Sequence, residues 1–430
     1  MRYILKEVFG VSNNLNETYI YREKIDSIFI EALSTDKHII IYGASKQGKT
    51  YLYKRHLDPN EYIIVECSPT TKTIDIYKSI LRQVGVSSNM ITNVSTNDIN
   101  GDKANLSLKI KVPYAGELGV GLGINKENSV TETKTFSTYE YNLSLSQDVS
   151  EALMCLNFDK KIIIENFHYL TDDTQRKFAF DLRTFHDCNM QFIILGIWKE
   201  KNRLLQFNGD LVDRINEIPV EPWTTGDFHR IITKGEELLN VDFNLIRDAI
   251  VSDAFNSVGV LQELCKEVCI DAKIFNTSKA QISLSENNYI NSVDQKVEHY
   301  SGRHFRSFEA FIEQNSIQKN GVKPLYIPYY FLKMLSNIRF EEIQRGLKRS
   351  VIHDGIKEIH HRHENVRSSD MSHFLHNIVK YQIRKGITPP LFDYDISSRK
   401  LRIIDSTLFF YLRYFRDKNI FEDITNPMEK

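Results

Sequence analysis

Cysteine is scarce in this chain of 430 residues, and long apolar runs are missing from it. The five cysteines are an odd number and lie mostly within short apolar stretches, a pattern typical of reduced, buried thiols rather than of a disulfide framework. No apolar stretch approaches the roughly 20 residues that a membrane span needs, and residues 1–7 are too polar for a signal peptide. We therefore expect a cytoplasmic protein without a membrane partner.

Net charge is low as well, since the formal charge at pH 7 is −1. The total hides an asymmetry, because residues 286–430 carry 23 basic and 18 acidic side chains, whereas residues 1–285 carry 32 and 38. This modest basic bias permits a nucleic-acid partner without requiring one. The length exceeds what one compact core holds, so two to four domains are expected.

One motif stands out, a complete G-x-x-x-x-G-K-[ST] phosphate-binding loop at residues 43–50. A short apolar run typical of a buried parallel strand precedes it, and residues 51–57 can continue as a helix. Backbone N–H groups of such a loop surround phosphates, and the helix adds the positive end of its dipole. We predict that Lys49 reaches the β- and γ-phosphates of ATP and that Thr50 offers its hydroxyl to Mg²⁺. The predicted nucleotide-binding residues of the loop are Gly43, Ala44, Ser45, Lys46, Gln47, Gly48, Lys49, Thr50 and Tyr51.

Strand and helix patterns alternate around this loop, which predicts a parallel sheet with helices on both faces. Further strands are expected at 62–67, 161–164 and 191–196, and helices at 74–84, 146–156 and 173–186. The series is interrupted by residues 88–147, which we interpret as a β-hairpin-like insertion. Within it, residues 86–105 are polar enough to predict a loop, and residues 106–112 alternate with strand period.

A carboxylate is expected at the end of a neighbouring strand, where it holds Mg²⁺. Glu165 follows the apolar run 162–164 and fits this role, about 115 residues after the loop. The long separation is explained by the insertion.

On these residues the chain resembles the AAA+/STAND class of P-loop ATPases, nearest to the origin-recognition-type branch with a C-terminal winged helix. The resemblance covers roughly residues 18–275 and implies an arginine against the adenine, here Arg22 beside Tyr21. It also implies a sensor position at residues 196–198, a γ-phosphate contact by Arg214 in its own or a neighbouring subunit, and a lid helix within residues 256–263 that includes Gly259.

The chain departs from the family pattern at two places. The family has an acidic residue that activates water directly after the strand carboxylate, and Asn166 stands there. An amide does not accept a proton from water at neutral pH, so hydrolysis by Lys49, Glu165, Asn166 and Arg214 is expected to be slow. The lid helix also lacks the arginine that the family carries at its start.

Several of these residues have simpler interpretations. Arg22 fits a surface position near a helix start, Arg214 fits an ion pair with Asp210 or Glu217, and His168 fits a packed core histidine. Arg176 and Arg183 share a helix face that is solvated by default, or that supplies an arginine to a neighbouring subunit.

The predicted fold class is α/β: a parallel-sheet P-loop NTPase core with a β-rich insertion, a helical lid and a C-terminal winged-helix-like domain. The expected domains are 1–225, 226–285 and 286–430, with 277–291 as a polar linker. In the last domain, 340–352 and 369–384 are expected to be helices and 390–395 and 400–405 strands. Winged helices bind DNA or proteins, and both remain open here. The candidate DNA contacts are Lys380, Arg384, Lys385, Arg399 and Lys400.

The sequence thus favours a slow ATPase that acts as a molecular switch and controls assembly, or the capture of DNA or an effector protein. Resemblance to STAND proteins suggests bacterial defence against phage. The alternatives are a replication-initiator-like DNA-binding protein with nearly structural nucleotide, and a scaffold that binds ATP without turnover.

Overall fold

The computed structural model describes residues 2–12, 14–86, 91–95, 104–113, 136–313, 324–415, 424 and 426–428. Within these ranges no helix is long and apolar enough to cross a membrane.

The chain begins with α1 (Leu5–Val8) and α2 (Glu23–Leu33), and then enters the central strand β1 (His38–Tyr42). After the phosphate loop come α3 (Lys49–His56), β2 (Tyr62–Glu66) and α4 (Thr73–Gln83). Alternate side chains of β1 enter different cores, because Ile40 packs in one hydrophobic cluster and Ile39 and Ile41 pack in another. A strand that is buried on both faces belongs inside a two-faced α/β domain.

The insertion contains three antiparallel strands, β3 (Ile91–Ser95), β4 (Ala104–Pro113) and β5 (Phe136–Asn142), rather than a single hairpin. The loop expected over 86–105 is therefore wrong for β3, whose polar residues pair with the predicted strand β4. Residues 114–135 lie outside the described residues.

The α/β series resumes with α5 (Ser146–Cys155), β6 (Lys161–Glu165), α6 (Asp172–Asp187), β7 (Phe192–Gly196) and β8 (Ile215–Pro219). The five strands form a parallel sheet in the order β2-β6-β7-β1-β8. The predicted parallel sheet is confirmed. Because β1 lies between β7 and β8, the loop that follows β1 opens at the carboxyl edge of the sheet, where ligands bind in such folds.

The segment after the sheet is mostly helical, as expected. It contains α7 (Thr225–Leu239), α8 (Arg247–Asp253) and α9 (Val258–Asp271). Two short strands, β9 (Val241–Asp242) and β10 (Ile282–Ser283), pair in parallel and were not foreseen. The predicted linker ends earlier than expected, because Ser285 caps the next helix by accepting a hydrogen bond from the Asn288 N–H.

The C-terminal part starts with the long helix α10 (Glu286–Ile312), followed by α11 (Ile327–Asn337) and α12 (Phe340–Arg345). The single helix expected over 340–352 is wrong, because Gly346 has φ +85° and ends α12 before strand β11 (Leu347–Lys348). Helix α13 (Arg349–Ile359) follows. The expected helix 369–384 is interrupted at Asn377 and forms α14 (Ser368–His376) and α15 (Ile378–Arg384).

The predicted hairpin is present as β12 (Phe392–Asp395) and β13 (Lys400–Ile403), with Phe392 opposite Ile403. Strand β11 completes a three-stranded sheet, and α16 (Ser406–Phe415) closes the described fold. The core of the lid segment takes a residue from this last helix, because Phe410 is buried among lid side chains. The domain boundaries at 225 and 285 stay predictions.

Candidate nucleotide site

The phosphate loop presents unpaired backbone donors. Lys46 and Gly48 adopt positive φ values of 59° and 83°, which turn successive peptide units inward. The N–H groups of Lys46, Gln47 and Gly48 donate no hydrogen bond within the described ranges. Since buried or half-buried N–H groups are normally paired, this arrangement fits an anion with several acceptor oxygens.

Lys49, the invariant position of the motif, is folded back onto the loop. Its Nζ donates to the carbonyl oxygens of Gly43 at 3.0 Å and Ala44 at 2.6 Å. Desolvation lowers the pKa of Lys49 to about 8, against the opposing attraction of Glu221 and Glu165. The ammonium is thus held at the loop, where a phosphate oxygen would be a stronger acceptor than a carbonyl.

The predicted metal ligands meet at the end of β6. The Thr50 hydroxyl donates to Glu165 Oε1 at 3.1 Å, and the Tyr53 hydroxyl donates to the same oxygen at 3.0 Å. Burial raises the pKa of Glu165, although these hydrogen bonds and Lys49 oppose the shift. A hydroxyl and a carboxylate beside the loop are the oxygen ligands that Mg²⁺ prefers, so the residues present fit this ion.

Asn166 follows Glu165 with φ 60° and lines the cavity into which the phosphate loop opens. Asparagine and aspartate tolerate this left-handed conformation better than other residues with a Cβ. His168 also lines the cavity but is only 3% exposed, and burial lowers its pKa to about 3. It is therefore a neutral, packed histidine, as its simpler interpretation has it.

The loop opens into a cavity of about 310 Å³. Arg22 is buried on its wall, with its guanidinium 3.7 Å from the centre of the Trp223 ring and Nη1 donating to the Val220 carbonyl at 2.8 Å. The surface interpretation of Arg22 is therefore wrong. The cavity, together with its polar end at Lys49 and Thr50, has the size of a ligand pocket.

Sequence reasoning missed the N-terminal wall of this cavity. Gly10 and Val11 line it, and the Tyr51 hydroxyl, a predicted site residue, donates to the Ser12 carbonyl at 2.8 Å. Trp223 and Ile231 complete the apolar side. A Pro-Trp pair at 222–223, shortly after the end of β8 at Pro219, was the one visible signal, since ligand pockets are lined mainly by hydrophobic and aromatic side chains.

Two predicted residues lie elsewhere. Tyr21 is 44% exposed, bonds Ser27 through its hydroxyl, and does not line the cavity. Arg214 precedes β8, and its carbonyl accepts from His38 at the amino end of β1. The loop follows the carboxyl end of β1, about 15 Å away at a rise of ~3.3 Å per residue. A γ-phosphate contact by Arg214 within its own subunit is therefore wrong.

Arg214 instead fulfils its simpler interpretation in part. Its Nη1 donates to the Asp210 carbonyl at 2.7 Å and its Nη2 lies 3.7 Å from Asp187 Oδ1. Arg183 likewise pairs with Asp210 at 2.6 Å on an exposed surface. These arginines form surface ion pairs, which contribute little to stability.

The lid contacts the loop through Gly259. Its N–H donates to the Lys46 carbonyl at 3.0 Å, and a Cβ at this position would lie 2.4 Å from Lys46 Cβ. Only glycine permits this approach. The Gln47 side chain adds a longer contact to the Asn256 carbonyl at 3.4 Å.

The C-terminal part contacts the loop from another side. The Ser45 N–H donates to the Ile404 carbonyl at 2.9 Å, and the Ser406 hydroxyl donates to the Ser45 carbonyl at 2.5 Å. Both backbone groups of Ser45 are thereby bonded to the junction of β13 and α16, one to Ile404 between them and one to the first residue of α16. Asp405, between these two contacts, is buried and paired with Arg303 at 2.5 Å.

The candidate DNA contacts are partly occupied by protein. Lys380 pairs with Asp172 of α6 at 2.6 Å, and Lys385 lies 3.4 Å from Glu313. Arg384, Arg399 and Lys400 have no ion pair in the described part of the chain. In this arrangement Lys380 is held against the core, whereas Arg384 at the end of α15 is exposed.

Residues 31–204 match the family described as AAA domain. Among curated proteins none matches the chain. Similar solved structures include the Orc1 protein of Aeropyrum pernix in complex with DNA, which is 12% identical over 98% of each chain with a TM-score of 0.46. Another is the Walker-type ATPase paby2304 of Pyrococcus abyssi, 13% identical over 94% of this chain and 99% of that one, with a TM-score of 0.47.

A STAND protein with a tetratricopeptide repeat sensor from Pyrococcus horikoshii is 11% identical. That likeness covers 98% of this chain but 47% of the other, with a TM-score of 0.35. At these identities and scores, nothing about the ligands or partners of this chain follows from the three structures.

Proposed function

We propose that the protein is a slow ATPase switch, in which nucleotide at the loop controls docking of the C-terminal domain. The match of residues 31–204 to the AAA domain supports this proposal. The observation that carries this proposal is the pair of hydrogen bonds that joins the Ser45 backbone to Ile404 and Ser406. A loop residue whose N–H is taken by a protein carbonyl has no N–H for a phosphate. In the docked form the loop therefore offers a phosphate the N–H groups of Lys46, Gln47 and Gly48 but not that of Ser45, and ATP and the docked C-terminal domain compete for this group.

Charge supports the same competition. The carboxylate of Asp405 is buried next to the Ser45 contacts, and a polyphosphate at the loop would place further negative charge near it, which Arg303 and Lys46 offset only in part. Like charges in a region of low dielectric repel strongly. ATP consequently has a higher affinity for an undocked form, and this difference in affinity is what shifts the equilibrium.

In the undocked form, Lys49 moves from the Gly43 and Ala44 carbonyls to the phosphates, and the free N–H groups of the loop bind their oxygens. Mg²⁺ bound by Thr50 and Glu165 would neutralise phosphate charge and polarise the bond to be broken. Asn166 holds the position of the missing general base and orients water without taking its proton. Hydrolysis is therefore slow, and the switch stays in its ATP-bound form for long periods.

The test uses the Lys380–Asp172 ion pair, which joins the C-terminal domain to the core. Asp172→Lys repels Lys380 and weakens docking, so ATP affinity rises, by about two- to threefold because the pair is partly exposed. The double variant Asp172→Lys/Lys380→Asp restores the pair and returns the affinity to that of the natural chain. An affinity that falls in the single variant, or that the second change does not restore, contradicts the competition.

DNA binding by the undocked form is a second function that the Lys380–Asp172 pair favours, because undocking frees Lys380 to act beside the already exposed Arg384. Asp172→Ala should then strengthen binding to double-stranded DNA, with a salt dependence that decreases when Lys380 is neutralised. DNA affinity that is equal in both proteins would favour a protein effector instead, in a homo-oligomer or a complex.

A role in defence against phage is part of the proposal at the level of the organism. It predicts that bacteria that carry the natural chain resist a phage that forms plaques on cells with Lys49→Ala. Equal plaque numbers on both strains would favour the replication-initiator-like alternative. Purified protein that binds ATP without any turnover would favour the scaffold.

A further inference from the structure

A second cavity lies on the other side of the phosphate loop. It measures about 370 Å³, within the range of small-molecule pockets. Gly43 and Ala44 form its floor, and among the described lining residues it shares only Gln47 with the nucleotide cavity. The loop itself therefore separates two pockets.

All three parts of the protein contribute walls. The core supplies Lys199 and Lys201 after β7, the lid supplies residues 255–257, and the C-terminal part supplies Arg402 and Phe409. A ligand in this cavity would touch each of them at once. Pockets between structural units are frequent ligand sites, and such a ligand links the positions of the units.

The polar groups of the cavity favour an anion. Its one carboxylate, Glu221, is already satisfied, since it accepts from the Ala44 N–H at 2.5 Å and pairs with Lys199 at 3.2 Å. Arg402 is half-buried, yet within the described ranges its guanidinium forms no hydrogen bond or ion pair. Lys201 is exposed and has no ion pair there, although its charge opposes the rise that burial causes in the pKa of Glu217. Arg402, which has no partner among the described residues, and Lys201, which has no ion pair among them, therefore line the same cavity.

Two buried donors in the wall also favour an anion. Trp198 is fully buried, and Trp198 Nε1 and Arg402 Nε lack a hydrogen-bond partner in the described part. Gln47 Oε1 is unpaired there as well, but it is an acceptor and would bind a donor group of the ligand or a water. Unpaired polar atoms of this kind are costly and usually mark a missing ligand or water. Phe255, Phe409 and Pro222 add apolar surface to a wall that also contains the polar Asn256, Ser257, Gln344 and Ser406.

We propose that this cavity binds a small phosphate-bearing molecule with an apolar or aromatic body, and that this effector holds the C-terminal domain docked. The effector part rests on the proposed switch, whereas the binding part does not. The anionic group binds between Arg402 and Lys201, and the apolar body packs against Phe255 and Phe409. Because the ligand connects the C-terminal domain with the core, it opposes the undocking that ATP requires.

The test of binding is calorimetry with phenyl phosphate on full-length Lys49→Ala protein, in which the phosphate loop lacks its lysine and binds phosphate more weakly. We expect saturable binding that weakens about tenfold or more in Arg402→Gln, as for loss of a charge-assisted hydrogen bond. Lys348→Gln, an exposed cation of the same small sheet, is the matched control and should leave binding unchanged. Inorganic phosphate should bind more weakly than phenyl phosphate, because it lacks the apolar body.

Absence of phenyl phosphate binding, or equal affinity in Arg402→Gln, overturns the site. If Arg402→Gln does not fold, exposed Lys201→Gln provides the same comparison, and unchanged binding there also overturns it. Equal affinity for inorganic phosphate overturns the apolar part of the proposed class.

Coupling is measured separately in the natural chain. Phenyl phosphate should weaken ATP binding, and ATP should weaken phenyl phosphate binding by the same factor. Binding of phenyl phosphate without any effect on ATP overturns the effector role but leaves the site. A failed switch shows itself instead in the Asp172 and Lys380 variants, which do not touch this cavity.

Discussion

Ser406→Ala should make ATP bind more tightly, although Ser406 is distant in sequence from the phosphate loop. The substitution removes the hydroxyl that donates to the Ser45 carbonyl at 2.5 Å, a buried contact between residues 361 positions apart. Loss of such a hydrogen bond costs about 1 kcal/mol, and the acceptor left without a partner raises the cost to about 2 kcal/mol. Docking therefore weakens by roughly five- to thirtyfold.

The apparent dissociation constant of ATP equals its intrinsic value divided by the fraction of molecules that can bind. If docking dominates, weaker docking lowers the apparent constant by about the same five- to thirtyfold. Fluorescence titration with a labelled, non-hydrolysable ATP analogue measures it. Ser398→Ala removes a hydroxyl of the same domain that bonds Asp395 instead of the loop, and it should leave the constant unchanged. A constant for Ser406→Ala that is equal to or higher than that of the natural chain refutes the competition.

Three further predictions concern the nucleotide site. Asn166→Asp fits the left-handed backbone at φ 60° and supplies a general base, so the rate of ATP turnover should rise about a hundredfold. Phosphate release measures this rate, and an unchanged rate would show that base catalysis is not limiting. Gly259→Ala places a Cβ 2.4 Å from Lys46 Cβ, so the free energy of unfolding should fall by about 1–3 kcal/mol, and ATP affinity should fall with it. Urea denaturation measures the free energy, and the control Gly226→Ala, whose Cβ would lie 3.8 Å from its nearest neighbour, should not destabilise the protein. Because desolvation lowers the Lys49 pKa to about 8, the fraction of protonated Lys49, and with it ATP affinity, should fall about eightfold from pH 7.5 to pH 9. Lys49→Arg should bind ATP with the same affinity at both pH values, because arginine stays charged. An affinity of the natural chain that is equally independent of pH would contradict the lowered pKa.

The stability of the folded protein depends on Lys49 in the opposite direction. The unfolded lysine stays protonated up to about pH 10.4, whereas the folded one loses its proton near pH 8. Between these values the unfolded chain binds more protons, so this group makes the nucleotide-free protein more stable as pH rises. A loss of ATP affinity above pH 8 is therefore not caused by Lys49-linked unfolding.

Local pattern was enough for the parts of the site that lie close together in sequence. The apolar run before Gly43 and the glycine-lysine motif predict strand, loop and helix in one segment, and these were found as β1, the loop and α3. Glu165 was found across the insertion because an apolar strand that ends in a carboxylate is itself a local signal. Its distance to Thr50 then follows from the parallel order of β6, β7 and β1.

Arg214 shows why the rest was harder. Its segment resembles the family, but the pairing of His38 with Ile215 decides at which end of the sheet the side chain lies. That register is a long-range property with no local sequence signal. The same holds for Gly10 against the lid and for Ser45 against Ser406, because each contact joins segments that only the complete fold brings together.

Glycine and capping signals explain two errors of the secondary-structure prediction. Gly346 interrupts an otherwise helical pattern, and its positive φ ends α12, as glycine commonly does at a helix end. Ser285 followed by Asn288 is a capping signal within the segment that we expected to be a linker. Both were visible in the sequence but were outweighed by the surrounding composition.

The most direct test of the switch is the distance between the core and the C-terminal domain with and without ATP. Spin labels attached to cysteines introduced at Lys177 and Arg384, two exposed positions on α6 and α15, report this distance by pulsed electron paramagnetic resonance. The accessible Cys155 and Cys188 are first replaced by serine. We predict a short distance without nucleotide, and a longer one when the non-hydrolysable ATP analogue and Mg²⁺ are bound. A distance that stays short at saturating analogue would contradict the competition between ATP and the C-terminal domain for the phosphate loop.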